Sequence, residues 1–387
     1  MLNTFAQNYF QIEYSKNIVA MYKFIKTLFI TLFISWGCVA TAQLNSIPKD
    51  GEIFVNPEFG DNLNNGTKDY PIKSVYEAAQ RINHANGKGA ITIYLSKGIH
   101  GLDKTVTFHP ANWHFTKENR LTIRAEILPD SIHWDQGQMP VIVSTMPLNF
   151  KPYGNYDPLH GASYGLQIET SHVTIQGLRV LGTPVHETPK EGYVKRNYPI
   201  VREGMDLTDL RITQCLFLGD IHAIPNHLSI LASGHGIEVD HCVFYGVKDA
   251  VVFWQSNTPA IGCSMHHNLI VDNYGGAVWA WTVAADFKYY NNVVSNTNVF
   301  WEIGKNEQMT YNLSNSIVLG YNELVNKNGG AFGYGEPADT SKLIYKNDVI
   351  IKKKGEVELD KNPTSKNYLH LKPGSIGSEL GVGLFMK

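Results

Sequence analysis

The stretches LRITQCLFLG (210–219), IEVDHCVFYG (237–246) and CSMHHNLIVD (263–272) decide the fold, because they are three copies of one pattern. Each copy reads as an apolar/any/apolar strand, a polar corner and a second short apolar strand. VTIQGLRVLG (173–182), FKYYNNVVSN (287–296) and YNLSNSIVLG (311–320) extend the pattern to six copies. Their third residues are Ile175, Ile212, Val239, Met265, Tyr289 and Leu313, separated by 37, 27, 26, 24 and 24 positions. Short apolar runs bounded by Asn, Asp and Gly are strands rather than helices. A further strand precedes four of the copies: HLSILAS (227–233), DAVVFWQ (249–255), GAVWAWT (276–282) and NVFWEIG (298–304). Three strands per repeat of about 24 residues is the arithmetic of a three-sided parallel β-helix, a solenoid in which each coil stacks on the last. The chain is therefore expected to be all-β.

Working outward, the sixth column of the alignment holds Leu178, Cys215, Cys242, Asn268, Asn292 and Ser316. Stacked coils repeat at the strand spacing, about 4.8 Å. Asn268 over Asn292 should then form an amide ladder, and Cys215 over Cys242 a pair of buried reduced thiols. The long first step puts extra residues into a loop at 183–199. Upstream, Ser74 and Glu77 have the spacing of a capping box, and Val75, Ala78, Ala79 and Ile82 form a helical apolar stripe. This helix is expected to plug the N-terminal end of the coil stack, just before the strand ITIYL (91–95).

The first residues read as an export signal. Lys23 and Lys26 precede an apolar run, and Ala40-Thr41-Ala42 supplies small residues for cleavage. The run is short for a bilayer span, and Met21 offers an alternative start. The expectation is a leader over 1–42, a cap and first coil over 43–110, coils over 111–335, and a C-terminal coil and cap over 336–387. Cleavage after Ala42 removes three of 33 basic and one of 35 acidic residues, leaving a formal charge of −4. Three cysteines then remain, with no CxxC unit, which describes core thiols rather than a disulfide or zinc scaffold. No basic run interleaves with aromatics, so nucleic acid is a poor partner. The expected protein is secreted or periplasmic, monomeric, and off the membrane once the leader is gone.

The opening GEIFVNPEFGDNLNNGTKDYPIKSVYEAAQ (51–80) resembles the start of right-handed parallel β-helix proteins of the pectate-lyase-like superfamily, and NYLHLKPGSIGSELGVG (367–383) resembles their last coil. The resemblance implies a carbohydrate-active protein: a lyase on uronic acids, a glycoside hydrolase or an epimerase. It also implies a substrate groove along the strand row that precedes the repeats. It carries no catalytic motif, and fold does not settle chemistry.

Residue placement supplies the candidates. Trp254, Trp279, Trp281 and Trp301 fall on that strand row, where aromatic faces suit sugar rings; the plainer reading is core packing. Glu302, between apolar neighbours, should face outward. His222, His227 and His235 bracket one strand and are expected to converge, with Arg202 one coil earlier and Lys248 one coil later. Histidine accepts protons near neutral pH, and a cation beside a uronate acidifies its C5 proton. This favours β-elimination, with Arg202 as carboxylate binder, His227 or His235 as base, and Lys248 as helper. His222, Trp254, Trp279, Trp281 and Glu302 would contact sugar. A second constellation is the column Thr213, Asp240, His266, Tyr290 and Ser314, in which Asp240 would orient His266 and Tyr290 supply a proton. The histidine spacings match no zinc motif. No cofactor is required, although a divalent ion such as calcium is compatible with the loops. The alternatives are a glycoside hydrolase, marked by two facing carboxylates, and a non-catalytic glycan-binding β-helix.

Overall fold

The computed structural model describes residues 23, 46–146, 149–152, 163–184, 193–224, 226, 228–255, 258–304, 309–330 and 333–387. The expected leader (apart from Lys23), His227 and residues 185–192 of the loop at 183–199 lie outside these residues. Ile47–Lys387 forms one compact unit. No described helix is long and apolar enough to cross a membrane.

The unit is a three-faced parallel β-helix. The first face is a ten-stranded parallel sheet running from Glu52–Val55 through Ile91–Leu95, Leu121–Ala125 and Val173–Gln176 to Leu343–Lys346. Its register joins Ile175 to Ile212, Ile212 to Val239, Val239 to Met265, Met265 to Tyr289 and Tyr289 to Leu313, the column read from the repeat. All six side chains are buried in the core. The second face carries Gly98–Leu102, Pro140–Ser144, Arg179–Leu181, Leu216–Leu218 and Val243–Tyr245. The third carries Val106–Phe108, Ser163–Ile168, Leu228–Ala232 and Asp249–Trp254. Three long strands, Leu269–Trp281, Val293–Ile303 and Ile317–Gly330, run along the second face and continue around the corner into the third.

The corner between the first and second faces holds the coils in register. Gln214, His241, His267, Asn291 and Asn315 occupy it in successive coils, all with positive φ between 43° and 54°. That turn aims the next residue inward and makes the ladder. Asn268 Nδ2 donates to Asn292 Oδ1 at 3.0 Å, and Asn268 Oδ1 accepts from the Cys242 amide at 3.0 Å. The Asn292 amide nitrogen in turn donates to Ser316 Oγ at 3.1 Å. Both asparagines are completely buried. Buried backbone groups at a corner lack a ladder partner of their own, and these side chains satisfy them. Cys215, Cys242 and Cys263 are free buried thiols.

Helix α1, Val75–His84, closes the N-terminal end, burying Val75, Ala78, Ala79 and Ile82. Only half of the capping box forms. Ser74 Oγ accepts from the Glu77 amide at 3.2 Å, but Glu77 turns to Arg81 at 2.8 Å and Asn62 takes the Ser74 amide. The C-terminal segment departs from the expected last coil. After Ile350–Lys352 the chain returns across the outer side of the second face, where Val357, Leu359, Leu369, Val382 and Leu384 pack on Leu216, Val243, Leu269 and Val293. The Met386 amide reaches Asp130 Oδ1 at 3.0 Å, far back along the stack.

Replacing Asn292 with Ala removes the partners of the Asn268 amide and of the Met265 and Tyr290 carbonyls. Each buried unpaired group costs about 1–3 kcal/mol. The expected loss is at least about 2 kcal/mol in urea denaturation, with a smaller loss for Ser316→Ala.

Candidate functional site

Strand parity sorts the third face into two columns. Ile200, Ile230, Val251, Val278, Trp301 and Val325 pair in register and lie in the core. Val201, Leu231, Val252, Trp279, Glu302 and Asn326 pair one residue further along and face away from it. Trp301 is thus a core residue rather than a sugar platform. Trp279 and Glu302 do point outward, but only 2% and 1% of their surfaces are exposed. Tyr164, Tyr198, Val201, Leu231 and Val252 build an apolar layer with Trp279 outside the coil. Glu302 is therefore not the open surface carboxylate expected. Two positions on, Trp254 pairs with Trp281, and both stay half-buried, with ring centroids 4.4 Å apart.

The same outward row carries two carboxylates. Gln167 pairs with Val201, and Glu169 and Glu203 stand two residues beyond that pair, in adjacent coils. Gln167 Nε2 donates to Glu169 Oε1 at 2.7 Å, and His109 Nδ1 lies 3.0 Å from Glu169 Oε2. Glu203 is exposed at the surface, and partial desolvation raises its proton affinity above the usual carboxylate value. A hydrogen bond from Tyr164 works against the rise, and the charge of Glu169 adds to it. The row then continues through Ser233 to Trp254 and Trp281. The repeat missed this pair because the coil of Ser163–Ile168 falls outside the six aligned copies. The signal was present in LQIE (166–169) and IVRE (200–203), each a strand with a carboxylate one residue past its end.

The cations and histidines expected on this face are placed differently. Arg202 has the parity of Ile200, is fully buried, and donates to the carbonyls of Ser233 at 2.8 Å and His235 at 3.2 Å. Burial lowers its pKa to about 10. A uronate has no route to it. Lys248 Nζ lies 3.2 Å from Asp249 Oδ2, and the buried Asp249 also accepts from the Gly276 amide. His222 precedes the strand Leu228–Ala232 and His235 follows it, so the strand's five residues, about 16 Å, keep them apart. His235 Nδ1 accepts from the Ile261 amide at 3.2 Å. The structure does not gather these residues into one site.

The column on the first face does come together. Arg211 grips Asp240 with Nε at 2.8 Å and Nη2 at 3.0 Å, Thr213 Oγ1 donates at 2.7 Å, and His241 Nδ1 lies at 2.9 Å. Burial would raise the Asp240 carboxyl, but the bonds from His241 and Arg211 outweigh it and hold the group well below the carboxylate range. Asp240 does not orient His266; Glu238 does, with Oε1 3.1 Å from Nε2. Tyr290 stacks on His266 at 4.7 Å, and its proton is held by burial and by the charges of Glu238 and Asp240. His267, not singled out by the repeat, has Nδ1 2.9 Å from His266 Nδ1 and stacks on His241 at 4.7 Å. Burial and the two neighbouring imidazoles push its pKa down to about 4. Among the described residues, His241, His266 and His267 place ligand atoms within 4.8 Å of one another, as do Glu238, Asp240 and His266.

Comparison with known proteins returns structural neighbours of low identity. A GH136 lacto-N-biosidase from Eubacterium ramulus aligns over 78% of this chain and 68% of its own, at 11% identity and a TM-score of 0.45. The pectin methylesterase of Aspergillus niger aligns over 82% and 94%, at 12% identity and a TM-score of 0.43. A rhamnogalacturonan lyase aligns over 86% and 99%, at 12% identity and a TM-score of 0.41. No family model and no curated relative matches the sequence.

Asp240→Asn removes the buried carboxylate that Arg211, Thr213 and His241 share; because Arg211 is 37% exposed and keeps Glu238 at 3.9 Å, the expected cost is about 1–2 kcal/mol in chemical denaturation. Glu238→Gln, at a partly exposed position, should cost less than about 1 kcal/mol.

Proposed function

We propose that the protein is a carbohydrate-active enzyme that hydrolyses a glycosidic bond on its third face. The observation that carries this reading is the pair Glu169 and Glu203, side by side in one outward row that ends in the half-buried Trp254 and Trp281. Glu203 is the one pushed toward the protonated state, mainly by desolvation and to a smaller degree by the charge of Glu169 in the adjacent coil. Glu169 has both oxygens engaged, by Gln167 and His109, and so is fixed in position.

Adjacent coils repeat at about 4.8 Å, close to the 5–5.5 Å that separates the carboxyls of retaining glycosidases. The corresponding mechanism has Glu203 protonate the glycosidic oxygen while Glu169 attacks the anomeric carbon. The leaving sugar departs with that proton, and a covalent glycosyl ester forms on Glu169. Water, deprotonated by Glu203, then releases the sugar and restores both groups. Trp254 and Trp281 offer apolar faces to adjoining rings. β-Elimination, the other chemistry expected from the sequence, needs a cation on the uronate, and the buried Arg202 cannot supply it.

The test is incubation with a panel of neutral and uronate-containing glycans, following reducing ends and the ultraviolet absorbance of unsaturated uronates. New reducing ends with the substrate's anomeric configuration in the first product support the proposal. Glu203→Gln should lower kcat about 100-fold or more. Because Glu203 must be protonated and its pKa is raised, activity should persist above the ordinary carboxylate pKa, about 4.3, and fall as pH rises through the shifted value. An unsaturated product, or full activity in Glu203→Gln, would sink the hydrolase assignment.

A further inference from the structure

Three imidazoles meet at the corner where the first face turns into the second. His266 ends a first-face strand, and His267 follows it with φ at 54°; His241, one coil earlier, has φ at 46°. The left-handed step swings the His267 ring back beside His266, so that the two rings stand 89° apart with their Nδ1 atoms at 2.9 Å. Two lone pairs do not face each other at that distance, so a proton stands between them; a tetrahedral metal ion in its place would open the pair to about 3.3 Å.

The outer nitrogens of the rings are held. His266 Nε2 lies 3.1 Å from Glu238 Oε1, and His241 Nδ1 lies 2.9 Å from Asp240 Oδ1. His267 Nε2 lies 2.9 Å from the side-chain amide of Asn291. A carboxylate on the far nitrogen of a histidine fixes its tautomer and makes the near nitrogen a better ligand. In the proton-held state, His267 Nδ1–H donates to His266 and Asn291 Nδ2 donates to His267. Turning the Asn291 amide over lets its oxygen accept from His267 Nε2–H, and both Nδ1 lone pairs then face the shared point. Asp240 is no ligand itself, since Arg211, Thr213 and His241 already fill its oxygens.

We infer that His241, His266 and His267 form a site for a divalent transition-metal ion of the zinc class. The donors are imidazole nitrogens, which suit such ions and not calcium. His266 and His267 are the principal ligands. His241 lies flat on His267, 4° from parallel, and must turn about its Cβ–Cγ bond to aim at the ion, giving up its bond to Asp240, which Arg211 and Thr213 still hold. The ion ties two successive coils together. It also braces the returning C-terminal segment, whose Gly383 amide donates to the His267 carbonyl at 3.0 Å. None of this depends on the chemistry proposed for the third face.

The test is made on the full chain carrying no histidine tag. The protein is stripped with a chelator, equilibrated with zinc and freed of excess, and its metal content is counted by mass spectrometry. One ion per chain is expected, and cobalt in its place should give the visible absorption of a nitrogen-rich tetrahedral centre. His266→Ala and His267→Ala should each lose the ion, and His241→Ala should weaken it less. Glu238→Gln, which leaves every ligand in place, should lower affinity about 10–100-fold. That variant keeps the test open if an alanine variant fails to fold. A wild-type chain that retains no zinc would overturn the inference. So would zinc retained with unchanged affinity in Glu238→Gln and His266→Ala.

Discussion

Every coil of this protein must place over each residue of the preceding coil a side chain that can live about 4.8 Å away from it. That constraint is most severe at the corner between the first and second faces, where the backbone leaves the ladder and its polar groups go inside. Asn268, Asn292 and Ser316 meet it by hydrogen-bonding one another's amides as well as the carbonyls around them. Because each rung depends on the next, the coils cannot slip in register without unpairing several buried groups together. The columns of the three faces inherit their alignment from this corner.

The same stacking rule shapes the outer surface. Like charges in one column repel at strand spacing, so a stable row alternates or neutralises its charges. The first face does so: Arg211 lies beside Glu238 and reaches Asp240, and His266 is bracketed by Glu238 and Tyr290. The third-face pair Glu169 and Glu203 breaks the rule, and the charge of Glu169 adds a smaller share to a proton affinity of Glu203 that desolvation already raises.

How far the site could be read follows from how it is built. The ladder and the core column were legible because a core-facing position recurs in every coil and must be apolar or self-pairing. Arg202 was misplaced by one step of parity, since Ile200 and Val201 are both apolar and do not show which of them faces the core. Trp279 and Glu302 were given the right direction and the wrong environment: Trp279 is buried in an apolar layer outside the coil with Val252, Leu231 and Val201 of earlier coils, and Glu302 is buried beside it in the same row. His222 and His235 are close in sequence and lie at opposite ends of one strand. His267 was hidden by its own conformation, which turns a corner residue back onto the face it has just left.

The sequence by itself determined the architecture, the length of a coil, the ladder and the capping helix. These rest on periodic or local chemistry that repeats whatever the neighbours do. Tertiary structure alone decided which outward residues see solvent, where the C-terminal segment lies, and which carboxylates and imidazoles meet. Those are contacts between residues of different coils, and sequence records the spacing of coils but not what is laid over them.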